Sequence, residues 1–308
     1  MKKIISILFS IAFMSCSTQI KKEYRLETSD ISNFWIAFDS IKNVNNKKKV
    51  FKELYLDKAS DLFKEQIGIS GDMQNVDNYL KSFKKHPKFW ESLRKPTLAM
   101  QNISDEVDAS FKSVKKVYPE FKPGDVCVFI SPMIVQGKAY EGKILLGAEL
   151  NAPLKEIDLS EFEEDISFVY QNDIKSTIIH ETIHLQQKTE PETLLGHTIR
   201  EGSADFLAEL FLNKPYINAA YHYGRDNEEK LWQEFSKEMH LPEYSKWLYG
   251  ASKTDERPAD LGYFIGYLIT KSYYEKANNK ELAIKEIIEV SNFKQFLEKS
   301  NYSTKFSK

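Results

Sequence analysis

Asp173-Ile174-Lys175-Ser176-Thr177-Ile178-Ile179-His180-Glu181-Thr182-Ile183-His184-Leu185-Gln186-Gln187 is the stretch from which the rest of the chain is read. On a helix, residues four apart share a face. His180 and His184 can therefore turn both imidazoles toward one metal ion, while Glu181, about 100° round the helix, reaches a water beside it. Ile174, Ile178 and Leu185 form one apolar stripe and Ile179 and Ile183 another, so the helix is expected to be buried, with Asn172 as its cap. A buried helix that presents two histidines and a carboxylate on its remaining face needs something to satisfy them, and Zn²⁺ does so.

Downstream, Glu201-Gly202-Ser203-Ala204-Asp205 opens a second apolar helical run that ends at Leu212. Glu201 and Asp205 are again four apart. Glu201 can supply the third metal ligand, while Asp205 accepts a hydrogen bond from the outward ring N–H of a ligating histidine. Gly202, Ala204 and Ala208 leave room for this helix to lie against the first. A histidine six residues after His184 would be another kind of third ligand, but position 190 is Glu. His197 is nearby; as a ligand it would leave Glu201 and Asp205 an unexplained acidic pair, so a loop or substrate-side role is expected for it.

On either side of this pair the pattern is mostly helical. Helices are expected over Ser29 to Ile41, through Val50, Leu54, Ala59 and Phe63, from Val76 to Phe83, from His86 to Leu93 and from Ser104 to Val117. After the turn signal Lys122-Pro123-Gly124, the apolar runs Asp125 to Ser131 and Gly142 to Leu150 read as strands joined by a loop around Val135 to Glu141. Beyond the metal helix, helices are expected at Thr198 to Leu212, Asn227 to Met239, Asp260 to Lys276 and Lys280 to Val290. The fold class is α+β, mostly helical with a small central β-sheet. A signal peptide over 1–15 and a tether over 16–27 precede one domain over 28–308. That domain comprises a helical part at about 28–118, a core at about 122–215 and a helical C-terminal part at about 216–308.

Composition restricts the partners. Of 308 residues, 43 are basic and 45 acidic, which leaves no positive excess for gripping a phosphate backbone, so no nucleic-acid partner is expected. Runs such as Lys47-Lys48-Lys49 read as solvated helix faces. The chain begins with Lys2-Lys3, continues through an apolar stretch too short to span a bilayer, and reaches Cys16. Phe13-Met14-Ser15-Cys16 resembles a bacterial lipobox. Lipidation at Cys16 would hold the mature chain at the cell envelope, facing the periplasm or the surface. Cys127, inside an apolar run, reads as a small buried hydrophobe.

His180-Glu181-x-x-His184 with Glu201 and Asp205 downstream resembles the gluzincin metallopeptidases. More closely, the chain resembles a group of predicted zinc-dependent proteases of unknown substrate that includes lipoproteins associated with gliding motility. The resemblance extends to Asp30-Ile31-Ser32-Asn33-Phe34-Trp35, to Gly142 to Glu149 and to Arg257 to Tyr267. It implies a zincin-like domain with an active-site helix and a glutamate helix, one Zn²⁺ held by His180, His184 and Glu201, and metal-assisted hydrolysis of a peptide or protein with Glu181 as general base. Tyr263 is favoured as donor to the reacting carbonyl over Tyr267, His197, His222 and Arg257. Zincins pair an extended substrate with an edge strand, and Ile144 to Leu150 is the strand expected there, with Gly147 and Ala148 against the substrate. The alternative is a non-catalytic envelope scaffold, or a component of gliding machinery, that retains the metal site.

Overall fold

Aromatic residues at helical spacing build the first third of the molecule. The structure, a computed structural model, describes residues 23–69, 71–163, 166–170, 173–249 and 257–306; the leader, Cys16 and Asn172 lie outside these. A short strand β1 (Leu26–Glu27) leads into α1 (Ser29–Ser40), whose Ile31, Phe34, Trp35 and Phe38 are buried. Next come α2 (Lys47–Phe51), which runs on as a π-helical turn over Lys52–Leu56, and α3 (Asp61–Ile69). The single helix expected through Phe63 is thus two, and Ser60 divides them. Its amide donates to the buried carboxylate of Asp30 at 2.8 Å, and its hydroxyl accepts from the Phe63 N–H at 3.2 Å.

The short α4 (Gly71–Gln74), α5 (Val76–Lys85), α6 (Pro87–Ala99) and α7 (Ser104–Val117) complete this layer. Phe34 lies at its centre, with the rings of Trp35, Phe51, Tyr55, Phe83 and Trp90 at centroid distances of 5.0 to 5.9 Å. Most of these pairs meet edge to face, each contributing about 0.5 to 1.5 kcal/mol beyond the area it buries. Phe63 stacks on Phe129 at 4.5 Å and ties the helices to the sheet. The lysine runs are solvated, with exposed pairs such as Lys48 with Asp77 at 2.7 Å.

The sheet comprises β1, β2 (Asp125–Phe129), β3 (Gly137–Tyr140) and β4 (Lys143–Gly147), in the order β1-β2-β4-β3. β2 runs parallel to both β1 and β4, and β3 pairs antiparallel with β4. Residues 135–141, expected as a loop, therefore contain a strand. Tyr140 pairs with Lys143 across a two-residue turn in which Glu141 has φ 44° and Gly142 φ 76°. Positive φ at both central residues is the requirement of the hairpin turn that matches strand twist.

This order corrects the edge-strand expectation. β4 is flanked by β2 and β3, and the edges of the sheet are β1 and β3. Ala148 is fully buried, and a Cβ on Gly147 would lie 1.8 Å from the Val135 carbonyl oxygen. Neither residue is presented to an added strand.

The C-terminal part begins with α8 (Ile174–Gln186), capped by Asp173, whose side chain accepts from the Ser176 N–H at 3.1 Å. Next is α9 (Leu194–Leu212), capped by Thr193; it starts a turn earlier than expected, so His197 lies in a helix and not a loop. Two short helices that the pattern did not suggest, α10 (Ala219–Asp226) and α14 (Phe293–Ser300), accompany α11 (Glu228–Glu238), α12 (Leu261–Lys276) and α13 (Lys280–Ile288). α9 packs along α8 on one side and α12 on the other. The α9–α12 approach is backbone to backbone: a Cβ on Gly266 would meet the Thr198 carbonyl oxygen at 1.8 Å, and one on Gly202 the Tyr267 nitrogen at 2.1 Å. Buried apolar side chains form one cluster from Ile31 to Tyr302.

Candidate metal centre

His180 and His184 project from α8, and Glu201 from the first half of α9, which lies against it. One ligand atom from each falls within 4.8 Å of the others. The His184 Nε2 is 2.9 Å from the His180 Nε2 and 3.1 Å from Glu201 Oε2, and the His180 Nε2 is 3.4 Å from that same oxygen. All three residues are buried or nearly so, so these polar atoms must find partners inside the protein.

The other ring nitrogens decide what the inward ones can do. His180 Nδ1 is 2.7 Å from Asp205 Oδ1, and His184 Nδ1 is 2.7 Å from Gln187 Oε1. A carboxylate oxygen and an amide oxygen can only accept, so both Nδ1 atoms carry hydrogen. The Gln187 amide is held in that orientation because its nitrogen donates to the Arg200 carbonyl oxygen at 3.0 Å and to Ser203 Oγ at 2.9 Å. In neutral imidazoles both Nε2 atoms are then bare lone pairs, and they face each other and a carboxylate oxygen. A proton or a metal ion can meet this convergence. Two imidazoles and a carboxylate, each oriented by a hydrogen bond behind it, suit Zn²⁺ with one coordination position left open.

The electrostatics follow from the same contacts. Burial works against a charge on His180, yet hydrogen bonds to Asp205 and Glu201 raise its pKa well above the usual imidazole value. Burial likewise opposes the charge on Glu201, but His184 and His180 hold its carboxyl well below the usual carboxylate range. Asp205 is engaged on both oxygens, since Tyr221 donates to Oδ2 at 2.8 Å. Desolvation pushes the Glu181 carboxyl upward.

A cleft of about 470 Å³ opens over the centre, with Gln136, Gly137, His180, Glu181, Tyr249 and Tyr263 in its wall. Glu181 lies beneath the edge strand: a Cβ on Gly137 would fall 2.5 Å from its Oε1. Gly137 is thus the residue that lets β3 pass over Glu181. Tyr263 lines the cleft with its ring 6.4 Å from that of His180 and nearly parallel to it. Burial raises its hydroxyl well above the usual tyrosine pKa, which leaves it a donor. Tyr267 donates instead to Glu209 at 2.6 Å, Arg257 to Glu234 at 2.7 Å, and His222 lies on α10.

The structure thus brings His180, Glu181, Asp205 and Tyr263 to one cleft, gathers His184 and Glu201 against His180, and sets Gly147 at the end of β4 and Ala148 in the buried turn that follows it. The spacing argument missed four residues. Gln187 sits three after His184 on the same helical face, a signal that was present in the motif. Gly137, Tyr249 and Tyr221 come from other elements and left no local signal.

Residues 17–304 match the family described as gliding motility protein GldB. No curated protein matches, and no solved structure does.

Proposed function

The chain belongs to the gliding motility protein GldB family, and from that premise we propose that it is an envelope protein anchored by lipid at Cys16, with a zinc-dependent centre that hydrolyses peptide bonds. The apolar leader ending at Cys16 supports the anchor. Among the described residues no helix is long and apolar enough to cross a membrane, which accords with attachment by acyl chains.

One observation carries the catalytic reading: a fourth group, Glu181, lines the cleft beside His180, one of the three clustered donors, and is not needed to hold a metal. Held by His180, His184 and Glu201, Zn²⁺ would polarise a peptide carbonyl and make a water acidic enough to attack near neutral pH. Glu181 accepts the proton of the attacking water and returns it to the leaving amine. Tyr263 donates toward the carbonyl oxygen as charge develops there. Asp205 and Gln187 keep the imidazoles in the tautomer that aims Nε2 inward.

The family description favours a second reading, because it names motility and no reaction. On that reading the protein is a non-catalytic component of gliding machinery that keeps a metal site for stability. Glu181→Gln separates the two. The variant preserves size and hydrogen bonding but cannot take a proton. The catalytic reading expects it to retain zinc and lose general peptide cleavage by about 10²- to 10⁴-fold. If the parent cleaves no peptide, and a strain carrying Glu181→Gln keeps the function that deletion of the protein removes, the scaffold reading replaces it.

A further inference from the structure

Tyr249 stands at the cleft wall with its backbone at φ 60°, a left-handed conformation that a bulky residue adopts only when its surroundings enforce it. The ring is half-exposed and meets three other aromatics, those of Tyr244 at 5.5 Å, His197 at 6.0 Å and Tyr263 at 6.5 Å, each nearly perpendicular to it. Its hydroxyl is 3.0 Å from Glu201 Oε1 and 3.3 Å from His197 Nδ1. A tyrosine hydroxyl carries its proton near neutral pH. The single hydroxyl hydrogen goes to the carboxylate, and the oxygen is left to accept from His197 Nδ1–H.

The two oxygens of Glu201 are thus divided between different partners. Oε2 faces the two histidine nitrogens, whereas Oε1 faces Tyr249. A carboxylate free to rotate can bind a metal through one oxygen or both, and binding through both fills the position that a water or substrate needs. We propose that Tyr249, itself held by His197, is a positioning residue that occupies Oε1 and so makes Glu201 a one-oxygen ligand, which keeps the fourth metal position open. The inference rests on the metal reading above and adds to it the reason that the site stays catalytic in form. It also gives His197 a role: it lies one turn before Glu201 on α9 and acts through the tyrosine rather than on the metal or the substrate.

The test uses the lipidated chain in detergent, loaded with Zn²⁺ or with Co²⁺, whose visible absorption is strong when four-coordinate and weaker when a fifth donor joins. Tyr249→Phe removes one oxygen and keeps the ring. It is expected to melt like the parent without metal, to bind zinc about 10- to 100-fold more weakly in competition with a chelator, and to give the weaker cobalt spectrum. His197→Gln should shift both readouts in the same direction by less. A Tyr249→Phe chain with the zinc affinity and cobalt spectrum of the parent overturns the proposal and leaves the metal site standing. So does one whose weaker binding is matched by a lower melting temperature without metal and an unchanged cobalt spectrum. A parent that takes up neither ion overturns the metal reading, and the role of Tyr249 with it.

Discussion

Replacing Gly266 with Ala tests whether Glu201, a proposed metal ligand, owes its position to the contact between α9 and α12. The added Cβ would lie 1.8 Å from the Thr198 carbonyl oxygen and 3.2 Å from the Gly202 Cα. Ordinary contacts begin at about 3.5 Å, so the two backbones must part by about 1.5 Å, and neither obstacle is a side chain that can rotate away. Overpacking of this kind costs about 1 to 3 kcal/mol, and a backbone obstacle belongs at the upper end. Alanine's better helix propensity offsets about 1 kcal/mol, which leaves a net loss of about 2 kcal/mol. For a chain of this size that lowers the melting temperature by roughly 3 to 4 °C. The movement should reach the metal site as well, because Glu201 adjoins Gly202, and zinc affinity should fall with stability. Thermal melts and chelator competition on Gly266→Ala measure both. Gly71→Ala is the control, since a Cβ there meets nothing within 4 Å. If Gly266→Ala melts at or above the parent, the close helix crossing is wrong, and so is the derivation of the Glu201 position from it.

Other perturbations separate the parts of the site. Gly137→Ala, which places a Cβ 2.5 Å from Glu181 Oε1 and 2.6 Å from Thr177 Cγ2, should displace Glu181 and leave the three donors in place; peptide cleavage should fall by about 10²-fold with unchanged zinc affinity, and a loss of zinc would count against this division. Asp205→Asn should weaken zinc binding by about 10- to 100-fold, and an unaltered chelator titration would show that His180 does not need its carboxylate partner. Glu149 is fully buried, and burial pushes its pKa from 4.5 up to about 8 against the hydrogen bonds from Ser131. The folded chain then holds this proton more tightly than the unfolded one, so stability is lost as pH rises from about 4.5 to 8. Denaturant melts across that range should therefore favour Glu149→Gln over the parent increasingly, by several kcal/mol at the upper end, and a constant difference would refute the buried proton.

Where structure follows from local repetition, the sequence was legible. α7 was read with the same ends that it has, because Val107, Phe111 and Val114 recur at helical spacing and are buried. α8 and α9 were found because their apolar faces and their chemistry share that spacing, which also brought out Glu201 and Asp205 one turn apart. β3 was not legible, because Gly-Lys-Ala-Tyr has no apolar run and its residues are only half-buried, and the hairpin turn is Glu-Gly rather than the commoner Asn-Gly or Asp-Gly. That omission misplaced the edge of the sheet, and with it Gly147 and Ala148, since strand order depends on tertiary pairing. Tyr249 was invisible for a similar reason: its partners Glu201 and His197 are 48 and 52 residues away, and its backbone is one that tyrosine does not favour.

The central claim is that the lone pairs of His180, His184 and Glu201 converge because a metal ion belongs between them. The most direct test is zinc content. The lipidated protein, purified in detergent without added metal and again after dialysis against Zn²⁺, should carry about one ion per chain. Glu201→Ala, treated in the same way, should carry almost none. Metal far below one equivalent in the zinc-dialysed parent, or zinc bound as tightly by Glu201→Ala, would contradict the metal centre and leave the histidine pair to be explained by a proton alone.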